Sequence, residues 1–344
     1  MLSFALVLFS CSTDPAPSPE IAPPAVTLSP IRIGWQTTWA TQGQLSVILQ
    51  KTDILESLGF SPEFTGFSYG GPLNEGALAG EVDVLFTADQ PAIVLMNRAA
   101  SWRVIGRLMY NRVGTFVPID SPVQSVADLR GRTIAIPFGA AAHRETLGAL
   151  RAAGLDPSTD VQPVNLNIQE LVALIGSGAT DGRWGTIDAG SAWDPAYADL
   201  EYTEQVRSVA DGLVTSVVVM DADYVSATPG ADKRFMQAML EAYAFYRANT
   251  ALANRWFKEA AQLPFDLAVL DRAASVEPNL SVARADQVSV TLSDDDLAAL
   301  QRAADFMLEA ELLPAPVVVE PLVNRTVTDG LKTPQPGNVT VKAP

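Results

Sequence analysis

The chain has 344 residues, enough for about two domains of roughly 150 residues each. Its 23 Lys and Arg against 39 Asp and Glu give a net charge of −16, which argues against nucleic acid or an anionic membrane surface as a partner. With 48% hydrophobic and 18% charged residues it is not a disordered chain, and a single Cys with a single His excludes an internal disulfide, a Cys-x-x-Cys redox centre and most zinc sites.

Leu2 to Phe9 form an apolar run broken only by Ser3. It is shorter than the about 20 residues a membrane span needs and fits the hydrophobic part of a secretory signal. It ends in Leu8-Phe9-Ser10-Cys11, which resembles a bacterial lipobox, and the sole Cys of the chain stands there. Residues 1–11 are therefore expected to be a lipoprotein signal, with Cys11 as the lipid anchor to a bacterial membrane. Prolines 15, 17, 19, 23 and 24 mark residues 12–28 as a tether that cannot build a core. The body is then expected on the periplasmic or cell-surface side. Residues 324–344, polar and proline-containing, are expected to be a loose tail.

From Ile31 strand and helix signals alternate. Ile31 to Trp35 reads as a strand, and Leu45, Ile48, Leu49, Thr52 and Leu55 fall on one helix face, with Gly59 as the C′ residue. Pro62 to Phe67 is the second strand, and Pro72 stands at the start of the next helix. Val82 to Phe86 and Val104 to Tyr110 are further strands, separated by a helix over about 91–100. A boundary falls around Val113 to Pro118. Ser125 to Asp128 is a capping-box pattern, and Arg132 to Pro137 is a strand. Gly139 to His143 opens a helix. Val161 to Leu166 is a strand, and Asn167 caps the helix bearing Ile168, Leu171, Val172 and Ile175. A glycine-rich loop, 176–185, leads to a strand ending at Trp193. Leu213 to Met220 is an apolar strand crossing back. Helices follow at about 232–249, 252–261 and 294–313, the last capped by Ser293 with Asp296.

This rhythm predicts an α/β protein of two lobes, 29–114 with 217–323 and 115–216, joined by two crossing strands. Ligands of such sheets bind beyond the carboxyl ends of the strands, here a cleft between the lobes.

Catalytic signatures are poor. Gly66-Phe67-Ser68-Tyr69-Gly70 matches G-x-S-x-G between a strand and a helix, but the only base is His143, with 201 residues after it, and no His-Gly-Gly oxyanion motif is present. A glycine-rich turn explains the match better. No Walker A, G-x-G-x-x-G or H-E-x-x-H occurs, and neither a cofactor nor a metal is expected.

Segments facing the cleft supply the candidate ligand contacts. The first strand and its loop give Trp35, Gln36, Thr37 and Trp39. The second strand's end gives Tyr69, Gly70 and Gly71, the third Asp89 and Gln90, and the returning strand Thr215. Phe138, Gly139, Ala140, Ala141 and His143 open a helix whose small residues and free N–H groups suit an anion. Trp193 and Asp194 complete the set.

Ser121 to Ile136, with Asp128-Leu129-Arg130-Gly131 at its centre, resembles a stretch of bacterial solute-binding proteins, and Gly139 to His143 resembles the helix start that follows it. Trp193-Asp194-Pro195 and the stretch from Asp305-Phe306-Met307 to Leu313-Pro314 resemble the nitrate/sulfonate/taurine branch of that family. The likeness runs from about Ile31 to Val323. It implies a type II periplasmic-binding-protein fold closing by a hinge on a small-molecule solute. It implies delivery to an ABC permease and its ATPase on separate chains, with this chain a monomer and not an enzyme. Carried over, it implies contacts at Gly139, Ala140, Ala141, His143, Trp193 and Asp194. Ala140 and Ala141 depart from the Ser or Thr often found there.

The cleft segments hold Asp89, Asp194, His143 and Arg144 but no Lys. Three Trp near two Asp suit a cationic nitrogen. The expectation is a taurine-like zwitterion, its acid on the Gly139 helix start and its ammonium near Asp194; a neutral heteroaromatic compound is the other fit. The alternatives are a pyrimidine-precursor binder or an enzyme-like relative, and a ligand-sensing protein without transport.

Overall fold

The computed structural model describes residues 28–343, so Cys11, the lipobox and nearly all of the tether lie outside the described residues. The first lobe opens with β1 (Ser29–Gln36), α1 (Gln42–Lys51), α2 (Ile54–Ser57), β2 (Phe60–Phe67), α3 (Gly70–Leu78), β3 (Val84–Ala88) and α4 (Asp89–Arg98). The long β4 (Trp102–Pro118) leads into the second lobe, with β5 (Thr133–Ile136), α5 (Ala141–Ala152), β6 (Gln162–Asn165), α6 (Ile168–Gly176), β7 (Ala189–Trp193) and α7 (Ala196–Tyr202). β8 (Val206–Asp221) returns to the first lobe. Five helices follow: α8 (Ala222–Ala227), α9 (Ala231–Ala248), α10 (Thr250–Ala260), α11 (Leu267–Ala274) and α12 (Asp294–Glu309). Among the described residues no helix is long and apolar enough to cross a membrane.

The sheet runs in the order β2-β1-β3-β8-β4-β7-β5-β6. β1 pairs in parallel with β2 and β3, and β5 in parallel with β6 and β7, while β4 and β8 run antiparallel through the middle. β3 pairs only with the far half of β8, from Ser216 to Met220, and β7 only with the far half of β4, from Val113 to Phe116. Each lobe thus uses one half of each crossing strand. The strands read as apolar runs because helices cover both faces, as in β3, whose five residues are all buried.

Both crossing strands are longer than their apolar runs predict. Asn111-Arg112 in β4 and Asp211-Gly212 in β8 fall outside the predicted strands, yet they pair with each other's strand. They stay in register because their polar groups find partners: the Asn111 amide donates to the Ala40 carbonyl at 3.1 Å, and Asp211 accepts from the Tyr197 hydroxyl at 2.7 Å. β4 is therefore continuous through the boundary expected at 113–118.

The expected caps form. Asn167 and Glu170 exchange bonds at the start of α6, and Ser293 and Asp296 do so at α12. α3 begins at Gly70, so Pro72 falls third in the helix rather than first. The tail departs most from expectation. Residues 324–343 are fastened, not loose: Val327 is buried, Asn324 N–H donates to the Val104 carbonyl, Lys332 N–H to Gln237, Thr340 N–H to Asp53 and Lys342 N–H to the Lys51 carbonyl. The first lobe satisfies the tail's backbone, which polar composition alone does not reveal.

Candidate ligand-binding site

Three helices begin at the carboxyl ends of β2, β3 and β5 and meet between the lobes. Their N-cap residues are Tyr69, Ala88 and Ala140, and no side chain caps any of the three. At the starts of α3 and α5, which carry no acidic residue, the macrodipoles place partial positive charge, whereas at α4 the Asp89 carboxylate is the first helical residue and accepts the Gln90 N–H at 2.6 Å. Gly139, with φ of 82°, turns the chain from β5 into α5, a conformation L side chains rarely adopt. At Gly70 a Cβ would meet Pro91 Cγ at 2.6 Å, so only glycine lets α3 start this close to α4.

The chamber where they meet holds about 20 Å³ of free volume. Its walls are Gln36, Trp39, Tyr69 and Gly70 from β1 and α3, Ala88 and Pro91 from α4, Asn111 and Val113 from β4, Ala140, Ala141 and Ala142 from α5, and Trp193 from β7. None of these side chains carries a charge. The loop between β1 and α1 is tied down on both sides. The Gln36 amide donates to the Phe86 carbonyl at 3.0 Å, and the Gln42 amide to the Trp39 carbonyl at 3.0 Å. Ala40 N–H donates to the Asp194 carbonyl, and the Trp193 indole donates to the Thr38 carbonyl at 3.2 Å.

Of the candidate contacts, Gln36, Trp39, Tyr69, Gly70, Ala140, Ala141 and Trp193 come together in this chamber. The others lie elsewhere. Trp35 is buried in the first lobe's core, and Thr37 borders a separate cavity. Gly71 packs under the Tyr69 ring, and Gly139 serves the turn. Gln90 is buried just behind the α4 start, and Thr215 faces Asp296 of α12. Phe138 and His143 point away from the chamber, their rings stacked 4.5 Å apart over an outer groove. His143 is therefore not a chamber contact.

Asp194 and Asp89 require the main correction. Asp194 is fully buried and takes two hydrogen bonds from the Arg112 guanidinium, at 3.1 and 3.2 Å. Arg112 also reaches Glu201 at 2.6 Å. Asp89 is paired with Arg144, which also holds Glu145. Burial pushes both aspartate carboxyls above their ordinary range, against the pull of the facing guanidinium. Neither carboxylate is free for a ligand's ammonium, so the cationic subsite expected near Asp194 is not built. For the taurine-like solute expected from the sequence, Asp194→Ala should then change the affinities of taurine and ethanesulfonate by the same factor in calorimetric titrations; a loss confined to taurine would restore the ammonium contact.

Asn111, Val113, Ala88, Pro91 and Ala142 are walls beyond the candidate set, and Arg112 is the neutralising group. The signal for Asn111 and Arg112 is a polar pair between the apolar Leu108-Met109 and Val113.

Burial lowers the pKa of His143 from 6.5 to about 4. The folded value lies below the unfolded one, so between these values the unfolded chain binds the extra proton and stability rises with pH. Acidifying from pH 7 to pH 4 should cost roughly 3 kcal/mol at this residue. His143→Gln should flatten that part of the profile in urea unfolding measured at both pH values.

A family model described as NMT1/THI5 like matches residues 73–253. A protein of Escherichia coli (strain K12) assigned as aliphatic sulfonates-binding is 29% identical over 221 residues, 62% of this chain and 64% of that protein. The taurine-binding periplasmic protein of the same organism is 24% identical over 209 residues, 58% of this chain and 61% of that protein. The chain thus spans just under two thirds of the length of these two relatives. Among solved structures, the alkanesulfonate-binding protein SsuA from Xanthomonas axonopodis pv. citri bound to MOPS superposes with a TM-score of 0.70 at 25% identity, covering 88% of this chain and 100% of that one.

Proposed function

The chain belongs to the NMT1/THI5-like family, and on that premise we propose that it captures a small organic sulfonate between its lobes for an ABC importer. The observation that carries this reading is the convergence of two uncapped helix starts without an acidic residue, those of α3 and α5, on a chamber without a charged wall. Each helix start supplies about half an elementary charge, so two of them suit one full negative charge and leave a dianion under-neutralised. A sulfonate stays a monoanion over the whole accessible pH range and offers three oxygens to donors arriving from different directions. The small residues Gly70, Ala88, Ala140 and Ala141 let those oxygens approach the backbone, while Trp39, Tyr69 and Trp193 cover the carbon side. The chamber walls contain no nucleophile paired with a base, which favours binding over catalysis.

In this reading the lobes, 29–114 with 217–323 and 115–216, close about a hinge in β4 and β8. The Trp193–Thr38 bond and the Arg144–Asp89 ion pair are contacts that opening would break. Cys11 anchors the chain by a lipid outside the bacterial cytoplasmic membrane, and the monomer hands its solute to a permease driven by a separate ATPase. Thermal unfolding with ethanesulfonate, taurine, nitrate and a pyrimidine tests the core of it. A sulfonate at a hundred times its Kd should stabilise the fold by about 2.7 kcal/mol. If no sulfonate shifts the transition, the reading is wrong.

A further inference from the structure

Asp89 opens α4 of the first lobe, and Arg144 stands on the first turn of α5 in the second. The Arg144 guanidinium donates to Asp89 and lies 2.7 Å from the carboxylate of its neighbour Glu145. The Arg144 and Asp89 side chains are only 13% and 5% exposed. Glu145 in turn lies over the crossing strand β8, where a Cβ at Gly212 would meet its Oε2 at 2.7 Å. One guanidinium therefore holds a carboxylate of each lobe, and the trio reaches a strand in which the hinge is placed.

Other links across the cleft are weaker. Trp193 and Thr38 share one neutral hydrogen bond. Arg272 of α11 reaches Glu201 of α7 at 3.0 Å but is half exposed, and such pairs contribute little. The Asp89–Arg144 pair is shielded from solvent, where attraction is screened least and where loss of one partner strands a buried charge. Neither residue walls the chamber. The chamber is nevertheless complete only when the lobes meet, since Gln36, Trp39 and Tyr69 come from one and Ala140, Ala141 and Trp193 from the other. Whatever sets the closed fraction therefore scales the apparent affinity by the same factor.

We propose that Arg144 is a positioning residue for the solute site. Its pair with Asp89 is the latch that sets how much of the protein is closed, and Glu145 is the partner it keeps on opening. The proposal rests on the hinge reading above and is independent of which solute binds.

Small-angle X-ray scattering of the full chain without solute tests it, with the radius of gyration as the readout and urea unfolding as the check that each variant is folded. Arg144→Gln leaves Asp89 without its cation, buried in the closed arrangement and solvated in the open one. It should lower the closed-to-open ratio by at least about a hundredfold and expand the particle. Asp89→Lys sets two cations face to face and should expand it too, so a folding failure in one variant leaves the other to decide. Asp89→Asn combined with Arg144→Gln removes both charges and should return the radius to near the parent value. Ala141→Trp, a wedge in the chamber wall, is the control that parts the lobes whatever holds them. Expansion by the wedge but not by the charge variants overturns the latch while the hinge stands. A double variant as expanded as Arg144→Gln also overturns it, because the missing side chain rather than the charge would then matter. If no variant expands the particle, the wedge included, the hinge reading falls and the latch with it.

Discussion

Ala141→Asp is expected to abolish sulfonate binding. Ala141 is the first residue of α5 and lies in the chamber wall. A carboxylate at that position is favoured by the helix macrodipole, by about 0.3–1 kcal/mol, and can accept the N–H groups that no side chain now caps. The same carboxylate occupies the place proposed for the ligand's charge. Two like charges about 4 Å apart repel by about 4 kcal/mol at an effective dielectric of 20, on the order of a thousandfold in affinity. Ala141 is 6% exposed, so burying the carboxylate opposes the macrodipole gain, and Ala141→Asn, of the same size without the charge, separates repulsion from damage to the fold. Ala141→Ser is the companion variant. It adds a hydroxyl donor beside the anion and should hold or tighten binding. Calorimetry with ethanesulfonate and thermal unfolding check both; Ala141→Asp binding as well as the parent would remove the anion from α5.

This site was legible in the sequence where its signals are local. The small residues after β5, the Gly70-Gly71 turn and the Trp of the β1 and β7 ends all stand within a few residues of the strand ends that place them. The cap of α6 by Asn167 was legible for the same reason, since both partners lie within four residues. Charge balance was not legible. Asp194 looks like a free anion beside Trp193, but its partner Arg112 is 82 residues earlier, across a sheet whose strand order a single sequence does not state. Asp89 and Arg144, 55 residues apart, pose the same problem. The direction of His143 was hidden too: the small-residue turn places α5 correctly, yet the helix rotates the imidazole outward onto Phe138. α11 carries a local cap at Asp266 that apolar spacing alone does not pick out in so short a helix.

Arg107 shows what a distant pairing contributes to the frame that holds the chamber. It stands in β4 among buried apolar residues, and its guanidinium donates to both carboxylate oxygens of Glu277, at 2.8 and 3.1 Å, and to the Ser289 carbonyl at 3.0 Å. The two side chains are 6% and 0% exposed. Glu277 also accepts from the N–H groups of Tyr110 and Asn279, each at 3.0 Å. The Tyr110 bond is one residue from Asn111 in the chamber wall, so the pair ties the segment after α11 to the strand that forms the site. Arg107→Met keeps most of the volume but leaves a buried carboxylate without its cation, which should cost about 3–5 kcal/mol. Arg107→Met combined with Glu277→Gln should recover much of that, because the polar acceptor remains for Tyr110 and Asn279 while the uncompensated charge is gone. Urea unfolding of the parent, both single variants and the double variant gives the coupling directly. A cost below about 1 kcal/mol for Arg107→Met would mean that water reaches Glu277 and that this pair does not hold β4 in place.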